Sequence, residues 1–95
     1  MYKLFLDDLR SPPSDDYVVC RSSEEAIKYI INNGWPLMMS LDHDLGESDT
    51  AMVFLKSLYK IWNGEKIPIW QIHSQNPIGK ANIASFLTSW QNTVG

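Results

Sequence analysis

Short apolar runs alternate with amphipathic stretches along this chain, a pattern typical of β-strands joined by α-helices. Four apolar runs, at 2–6, 17–20, 37–41 and 67–72, predict four strands. The stretches between and after them predict three helices. Right-handed crossovers between parallel strands then give the spatial strand order 2-1-3-4. The sequence therefore predicts an α/β fold of three layers, with a parallel four-stranded sheet and helices on both faces, in one domain at 1–95.

Capping residues place the starts of the three helices. Ser22 with Glu25 three residues later forms a capping box, which satisfies free backbone N–H groups of the first turn. Asp49 is the expected N-cap of the second helix, and Gly79 is expected to open the third. Gly34 ends the first helix, because glycine accepts a left-handed conformation.

Composition narrows the class of protein. The chain has 95 residues, 44% of them hydrophobic, which suffices for one small core. Its net charge of −3 comes without a basic stripe, which disfavours binding to duplex nucleic acid. Cys20 is the single cysteine, which excludes an internal disulfide and fits a reducing compartment. No run approaches the ~20 apolar residues that span a bilayer, and no secretory signal begins the chain. We expect a cytoplasmic protein that does not bind membranes.

Acidic residues follow two of the predicted strands. Asp7 and Asp8 come directly after the first strand, and Asp42 and Asp44 come after the third. Because these strands are neighbours in the predicted order, their carboxyl ends lie at one rim of the sheet, where such folds bind ligands. Like charges so close raise each other's pKa values unless a cation neutralises them. Carboxylate oxygens favour Mg²⁺ or Mn²⁺ over zinc, so we predict that these four residues bind Mg²⁺ or Mn²⁺.

The segment from Ser74 to Asn82 follows the fourth strand and is a candidate phosphate cradle. Asn76-Pro77 and Gly79 predict a tight turn into a helix, whose first N–H groups attract an anion. Lys80 and Arg10 add positive charge. The alternative is that Asn76 caps the turn while Asn82 faces solvent.

Three segments of the chain resemble a known family. They are Phe5-Leu6-Asp7-Asp8-Leu9-Arg10-Ser11-Pro12-Pro13, Ser40-Leu41-Asp42-His43-Asp44-Leu45-Gly46 and His73-Ser74-Gln75-Asn76-Pro77-Ile78-Gly79-Lys80-Ala81-Asn82-Ile83. In this order they resemble the signatures of the cyclic-phosphate processing receiver family, a shortened relative of the response-regulator receiver domain. The resemblance implies a flavodoxin-like, receiver-like fold that lacks the fifth strand.

The same resemblance implies roles for individual residues. Asp7 and Asp8 match the acidic pair that holds Mg²⁺ in receivers, and Asp42 matches the aspartate that accepts a phosphoryl group. Ser74 matches the hydroxyl residue at the end of the fourth strand. The chain departs from receivers in lacking the lysine of the fifth strand, for which Lys80 could substitute. This departure favours direct action on a small phosphorylated ligand over signalling.

Opening a cyclic phosphodiester requires an activated water, stabilisation of charge on phosphate oxygens and a proton for the leaving oxygen. A metal held by Asp7, Asp8 and Asp42 could supply the first two. His43 and His73 are candidates for the proton transfers, because imidazole titrates near neutral pH. Asp42 could instead attack phosphorus itself.

Three hypotheses of function therefore stay open at the level of sequence. The leading one is a metal-dependent phosphoesterase for a cyclic nucleotide, a 2′,3′-cyclic end or an ADP-ribose cyclic phosphate. The others are a signalling module phosphorylated on Asp42 and a non-catalytic binder of cyclic nucleotides. The oligomeric state is open too, since an exposed sheet edge could support a dimer.

Overall fold

Four parallel strands form a single sheet in the order β2-β1-β3-β4 in the computed structural model, which describes residues 2–94. The elements are β1 (Lys3–Leu6), β2 (Tyr17–Cys20), α1 (Ser23–Asn33), β3 (Met38–Leu41), α2 (Ala51–Ile61), β4 (Ile69–Ile72) and α3 (Pro77–Val94). The predicted α/β fold, its parallel sheet and its strand order are confirmed. The predicted single domain at 1–95 also includes Met1 and Gly95, which lie outside the described residues.

Alternate strand residues form the hydrophobic core on one face of the sheet. Leu4 and Leu6 of β1 pair in register with Met39 and Leu41 of β3, and all four are fully buried. Their side chains share this face because successive residues of a strand point to opposite faces. The core therefore lies between this face of the sheet and the helices.

All three helices contribute to that same core. Its helical members are Ala26 and Ile30 of α1, Phe54, Leu55 and Leu58 of α2, and Ile83, Leu87 and Trp90 of α3. This placement differs from the expectation of helices on both faces, and the reason is topological. Residues 7–16, which include Pro12 and Pro13, form a loop between β1 and β2 in place of a crossover helix. The other two crossovers run in the same direction across the sheet, so their shared right hand puts α1 and α2 on one side.

The second face of the sheet carries the intervening strand residues, and no helix of residues 2–94 covers it. Its members are Lys3, Phe5, Tyr17, Val19, Met38, Ser40, Ile69 and Gln71. Ile69 on the edge strand is 60% exposed, whereas Phe5 in the middle is 4% exposed. Phe5 is buried because the His73 ring stacks on it with centroids 4.6 Å apart and Tyr17 packs edge-on. This face therefore has a local polar and aromatic cluster in place of a covering layer.

The structure confirms the predicted cap of α1 and corrects the predicted cap of α2. Ser22 Oγ accepts a hydrogen bond from Glu25 N, as predicted, while the Glu25 carboxylate accepts from Arg21 N. Thr50, not Asp49, caps α2, because the Asp49 carboxylate instead accepts from Ser23 N and Ser23 Oγ. The prediction for Asp49 was therefore wrong by one residue, and Asp49 joins the starts of α1 and α2.

The third helix begins at Pro77, two residues before the predicted Gly79. Proline suits the first helical position, where no backbone N–H is needed. None of the helices within residues 2–94 is long and apolar enough to cross a bilayer.

Candidate functional site

Three carboxylates meet at the carboxyl ends of two neighbouring strands. Asp7 and Asp8 follow β1, and Asp42 follows β3, which pairs with β1 through Leu6 and Leu41. One oxygen from each carboxylate lies within 4.8 Å of the others. The structure thus brings together three of the four residues that were predicted to bind a metal.

Asp7 is the most constrained of the three and is only 1% exposed. Its Oδ1 accepts hydrogen bonds from Leu9 N at 2.9 Å and Arg10 N at 2.8 Å, and its Oδ2 accepts from His73 Nε2 at 2.9 Å. Burial alone would raise the pKa of Asp7, but these backbone and imidazole hydrogen bonds outweigh it and lower the pKa. Asp7 is therefore held as a carboxylate.

Asp42 lies in a less favourable environment for its charge. It is 8% exposed, and its Oδ1 accepts from His43 N at 2.9 Å. Burial and then the nearby Asp7 charge raise the pKa of Asp42, and the bond from His43 N, with Arg10 and His73, offsets this only in part. A cation beside Asp42 would offset both the burial of its charge and the repulsion from Asp7 that raise this pKa.

The donor set fits a small divalent cation. All three groups offer carboxylate oxygens, which Mg²⁺ and Mn²⁺ prefer. Asp7 has most of its lone pairs occupied by hydrogen bonds, whereas Asp42 accepts one and keeps the rest. Asp8, which is half-buried, and Asp42 are thus the residues best placed to coordinate an ion directly.

Asp44, the fourth predicted metal ligand, lies outside this group. Its side chain is 65% exposed, and its two oxygens contact His43 Nδ1 at 3.1 Å and Asn76 Nδ2 at 3.4 Å. These hydrogen bonds from His43 and Asn76 lower the pKa of Asp44. Asp44 lines the same depression as Asp8 and Asp42, so its role in metal binding stays a prediction.

His43 packs beneath the start of α3. A methyl group on Gly79 would lie 2.6 Å from His43 Cδ2, so glycine is the residue that leaves room for the imidazole. The His43 side chain is 14% exposed, and its Nδ1 contacts Asp44. His43 does not itself line the depression, so its catalytic role stays a prediction.

His73 is engaged through both ring nitrogens. Its Nε2 contacts Asp7 Oδ2 at 2.9 Å, and its Nδ1 contacts Ser40 Oγ at 2.8 Å. Gln71 Nε2 donates to the same Ser40 hydroxyl at 3.3 Å. Ser40 and Gln71 were not predicted as site residues, although Ser40 places a hydroxyl inside an otherwise apolar strand.

A depression of about 510 Å³ opens beside the carboxylates. It is lined by Asp8, Leu9, Arg10, Asp42, Asp44, Gly46, Gln75 and Asn76. Ligand pockets commonly have volumes of about 300–1,000 Å³, and the depression lies within this range. Leu9, Gly46 and Gln75 were not predicted as site residues, although each lies within a segment that carries the family resemblance.

Arg10 is anchored at the edge of the depression. Its Nη1 donates to His73 O at 3.0 Å and lies 3.8 Å from Asp7 Oδ2. Arg21 supports the same loop, since its Nη1 donates to Asp7 O at 3.1 Å and to Arg10 O. Arg10 was predicted as a site residue, whereas Arg21, which supports its loop, was not.

The predicted phosphate-binding residues divide into two groups. Asn76 lines the depression and also caps α3, because its Oδ1 accepts from Gly79 N at 3.0 Å. Ser74 lies behind it, where its Oγ accepts from Asn76 N at 3.1 Å. Lys80 and Asn82 are exposed on α3 and do not line the depression. The structure therefore brings Asn76 and Arg10 to the site more directly than Ser74, Lys80 or Asn82.

Comparison with protein-family models matches residues 2–89 to the cyclic-phosphate processing receiver domain. Comparison with curated proteins and with solved structures found no match. The family match covers all four strands and most of α3.

Proposed function

The chain belongs to the cyclic-phosphate processing receiver domain family, and from this premise we propose that it is a metal-dependent phosphoesterase that opens a small cyclic phosphate. The observation that supports the proposal most is the meeting of Asp7, Asp8 and Asp42 within 4.8 Å beside an open depression. Candidate substrates are cyclic nucleotides, 2′,3′-cyclic ends and ADP-ribose cyclic phosphates.

Asp8 and Asp42 would hold Mg²⁺ or Mn²⁺, with Asp7 completing the charge of the site. When bound, such an ion polarises a phosphate and lowers the pKa of water. The hydrogen bonds to Asp7 keep its carboxylate fixed, which preorganises the site for the positive charge of the ion.

Arg10 and Asn76 would orient the phosphate. The Arg10 guanidinium carries five N–H donors, and its bond to His73 O uses only Nη1, so the remaining donors can face a ligand. Asn76 lines the depression at the start of α3, where backbone N–H groups favour an anion. The positive charge of Arg10 and the polar groups of Asn76 would offset the repulsion between the bound phosphate and the carboxylates.

His43 would transfer the proton to the leaving oxygen through Nε2, because its Nδ1 contacts Asp44. The bond to Asp44 fixes the orientation of the ring. General acid catalysis of this kind contributes about 10²–10⁴ in rate.

The proposal is tested by incubating the protein with a panel of cyclic phosphates in Mg²⁺, Mn²⁺ or EDTA and analysing the products by mass spectrometry. We expect ring opening of at least one panel member with either ion, no reaction in EDTA, and loss of the reaction in Asp42→Asn. Asp15→Asn is the matched control, because it makes the same chemical change at an exposed residue that does not line the depression, and this variant should keep most of the activity.

The same mixtures separate the other two functions. Labelling of Asp42 by acetyl phosphate with Mg²⁺ would indicate a phosphorylated signalling module, and retention of an unaltered cyclic nucleotide would indicate a binder. If no panel member is opened, the phosphoesterase proposal fails.

A further inference from the structure

We propose that Ser40 and His73 are positioning residues, which hold Asp7 in the geometry that the metal site needs, and that His73 does not carry the catalytic proton. This inference rests on the proposed function and assigns to Ser40 a role that sequence analysis did not consider. It is argued from a continuous chain of hydrogen bonds, from Gln71 through Ser40 and His73 to Asp7.

The donors and acceptors in this series of hydrogen bonds fix its direction from Gln71 towards Asp7. Gln71 Nε2 donates to Ser40 Oγ at 3.3 Å, so the Ser40 hydroxyl proton is free to be given to His73 Nδ1 at 2.8 Å. With Nδ1 accepting, the imidazole proton lies on Nε2, which donates to Asp7 Oδ2 at 2.9 Å. Ser40 thereby selects the tautomer of His73 that can hold Asp7.

Burial shows that Ser40 cannot act on a substrate itself. Ser40 is 1% exposed within β3, and the depression is lined by other residues. A serine, a histidine and an aspartate in hydrogen-bond contact would suit nucleophilic catalysis only if the hydroxyl could reach a reacting atom. Here the Ser40 hydroxyl is buried within the sheet between Gln71 and His73, and the aspartate is the member that lies at the proposed metal site.

Packing fixes the imidazole as well. The His73 ring stacks on Phe5 with centroids 4.6 Å apart and planes 3° from parallel, and the His73 side chain is 21% exposed. His73 N also continues the sheet by donating to Leu41 O at 3.0 Å. A ring held by stacking and by bonds at both nitrogens suits the orientation of a carboxylate better than the delivery of a proton to a substrate.

The bond from His73 fixes the orientation of the Asp7 carboxylate. Its Oδ1 is occupied by Leu9 N and Arg10 N, so Oδ2 is the oxygen that can face a cation. His73 Nε2 is the near partner of Oδ2 at 2.9 Å, and Arg10 Nη1 lies farther away at 3.8 Å. The bond from His73 therefore sets which side of Oδ2 can face a cation. Partners of this kind typically change metal affinity by 10–100-fold when they are removed.

The first experiment measures Mn²⁺ affinity by calorimetric titration of the full chain. We expect Ser40→Ala to weaken Mn²⁺ binding by about tenfold, at the lower end of that range, because Ser40 acts through His73. Ser23→Ala is the matched control, since Ser23 is also buried but contacts Asp49 away from the site. Unchanged affinity in folded Ser40→Ala would overturn the inference.

The second experiment compares His73→Gln with His73→Ala. The glutamine amide can donate to Asp7 but cannot exchange a proton as imidazole does, so a positioning role predicts that His73→Gln recovers both Mn²⁺ affinity and turnover that His73→Ala loses. If His73→Gln binds Mn²⁺ like the wild type but loses about 10²–10⁴ in kcat, His73 carries the proton and the inference is overturned.

These outcomes are distinguishable from failure of the proposed function. A wild-type protein that binds Mn²⁺ but opens no cyclic phosphate would remove the phosphoesterase proposal and leave the positioning roles supported by the affinities. A wild-type protein that binds no Mn²⁺ would overturn both.

Discussion

Asp7 and Asp42 carry the same functional group in one cluster, yet their surroundings shift their pKa values in opposite directions. Burial raises both pKa values, but Asp7 accepts bonds from Arg10 N, Leu9 N and His73 that reverse the effect. Asp42 has fewer such donors and faces the Asp7 charge. The two residues therefore have opposite effects on the stability of the metal-free protein.

Asn substitutions test this difference. Asp42→Asn removes a charge that is repelled while keeping Oδ1 for His43 N, so the metal-free protein should be more stable. Asp7→Asn places an amide N–H against His73 Nε2–H and should cost about 1–3 kcal/mol. Thermal unfolding in EDTA measures both, at about 4–8 °C per kcal/mol for a domain of this size. Shifts of the unfolding temperature that have the same sign and size in both variants would contradict the account.

The pH dependence of the Asp42→Asn effect has a defined sign. A carboxyl group whose pKa is raised by folding destabilises the folded state above its folded pKa, and this effect disappears as the pH falls below its unfolded pKa. The gain in unfolding free energy from Asp42→Asn should thus be present at pH 7 and vanish below the ordinary aspartate pKa of 3.8. Denaturant unfolding of both proteins across this range measures the difference, and a gain that persists in acid would show another origin.

At the scale of elements, the strands were predictable because their apolar runs are short and bounded by clear turn signals. β2 was placed at its observed residues, and β1, β3 and β4 began one or two residues later than predicted. The apolar runs did not predict which face of the sheet the helices cover. Phe5 and Ser40 lie within these runs but on the face without helices. Pro12 and Pro13 lie in the loop that replaces a crossover helix between β1 and β2, and this loop leaves the second face of the sheet without a helix within residues 2–94.

Two neighbouring methionines test the one-sided packing of the helices. Met39 is fully buried under the helices, whereas Met38 is partly exposed on the opposite face. Met39→Lys should cost more than about 3 kcal/mol because it buries an unpaired charge, while Met38→Lys should cost less than about 1 kcal/mol. Chemical denaturation measures both variants. A comparable loss in each would show that the second face is covered as well.

The contact between Gly79 and His43 is also a property of elements, because it joins α3 to the loop after β3. Gly→Ala within a helix usually stabilises by up to about 1 kcal/mol. Here Gly79→Ala should destabilise by about 1–3 kcal/mol, since its methyl group would overlap the His43 ring. The double variant with His43→Ala should recover this loss. Absence of coupling in that double-mutant cycle would show that the two residues do not touch.

At the scale of the molecule, the fold brings distant parts of the sequence to one rim. Asp7 and Asp42 meet because β1 and β3 are adjacent and parallel, and His73 joins them from the end of β4. Strand order and strand ends were readable from the sequence, so the meeting of Asp7, Asp8 and Asp42 was predictable. The outward position of Asp44 and the two bonds of His73 depend on side-chain directions, which spacing along the chain does not determine.

The most direct measurement is a Mn²⁺ titration followed by electron paramagnetic resonance, with wild type, Asp8→Asn, Asp42→Asn and the control Asp15→Asn compared at neutral pH. The account predicts one bound ion per chain in the wild type and Asp15→Asn, and strongly weakened binding in the two aspartate variants. Binding that survives both aspartate substitutions, or no binding by the wild type, would contradict a cation site built by Asp7, Asp8 and Asp42.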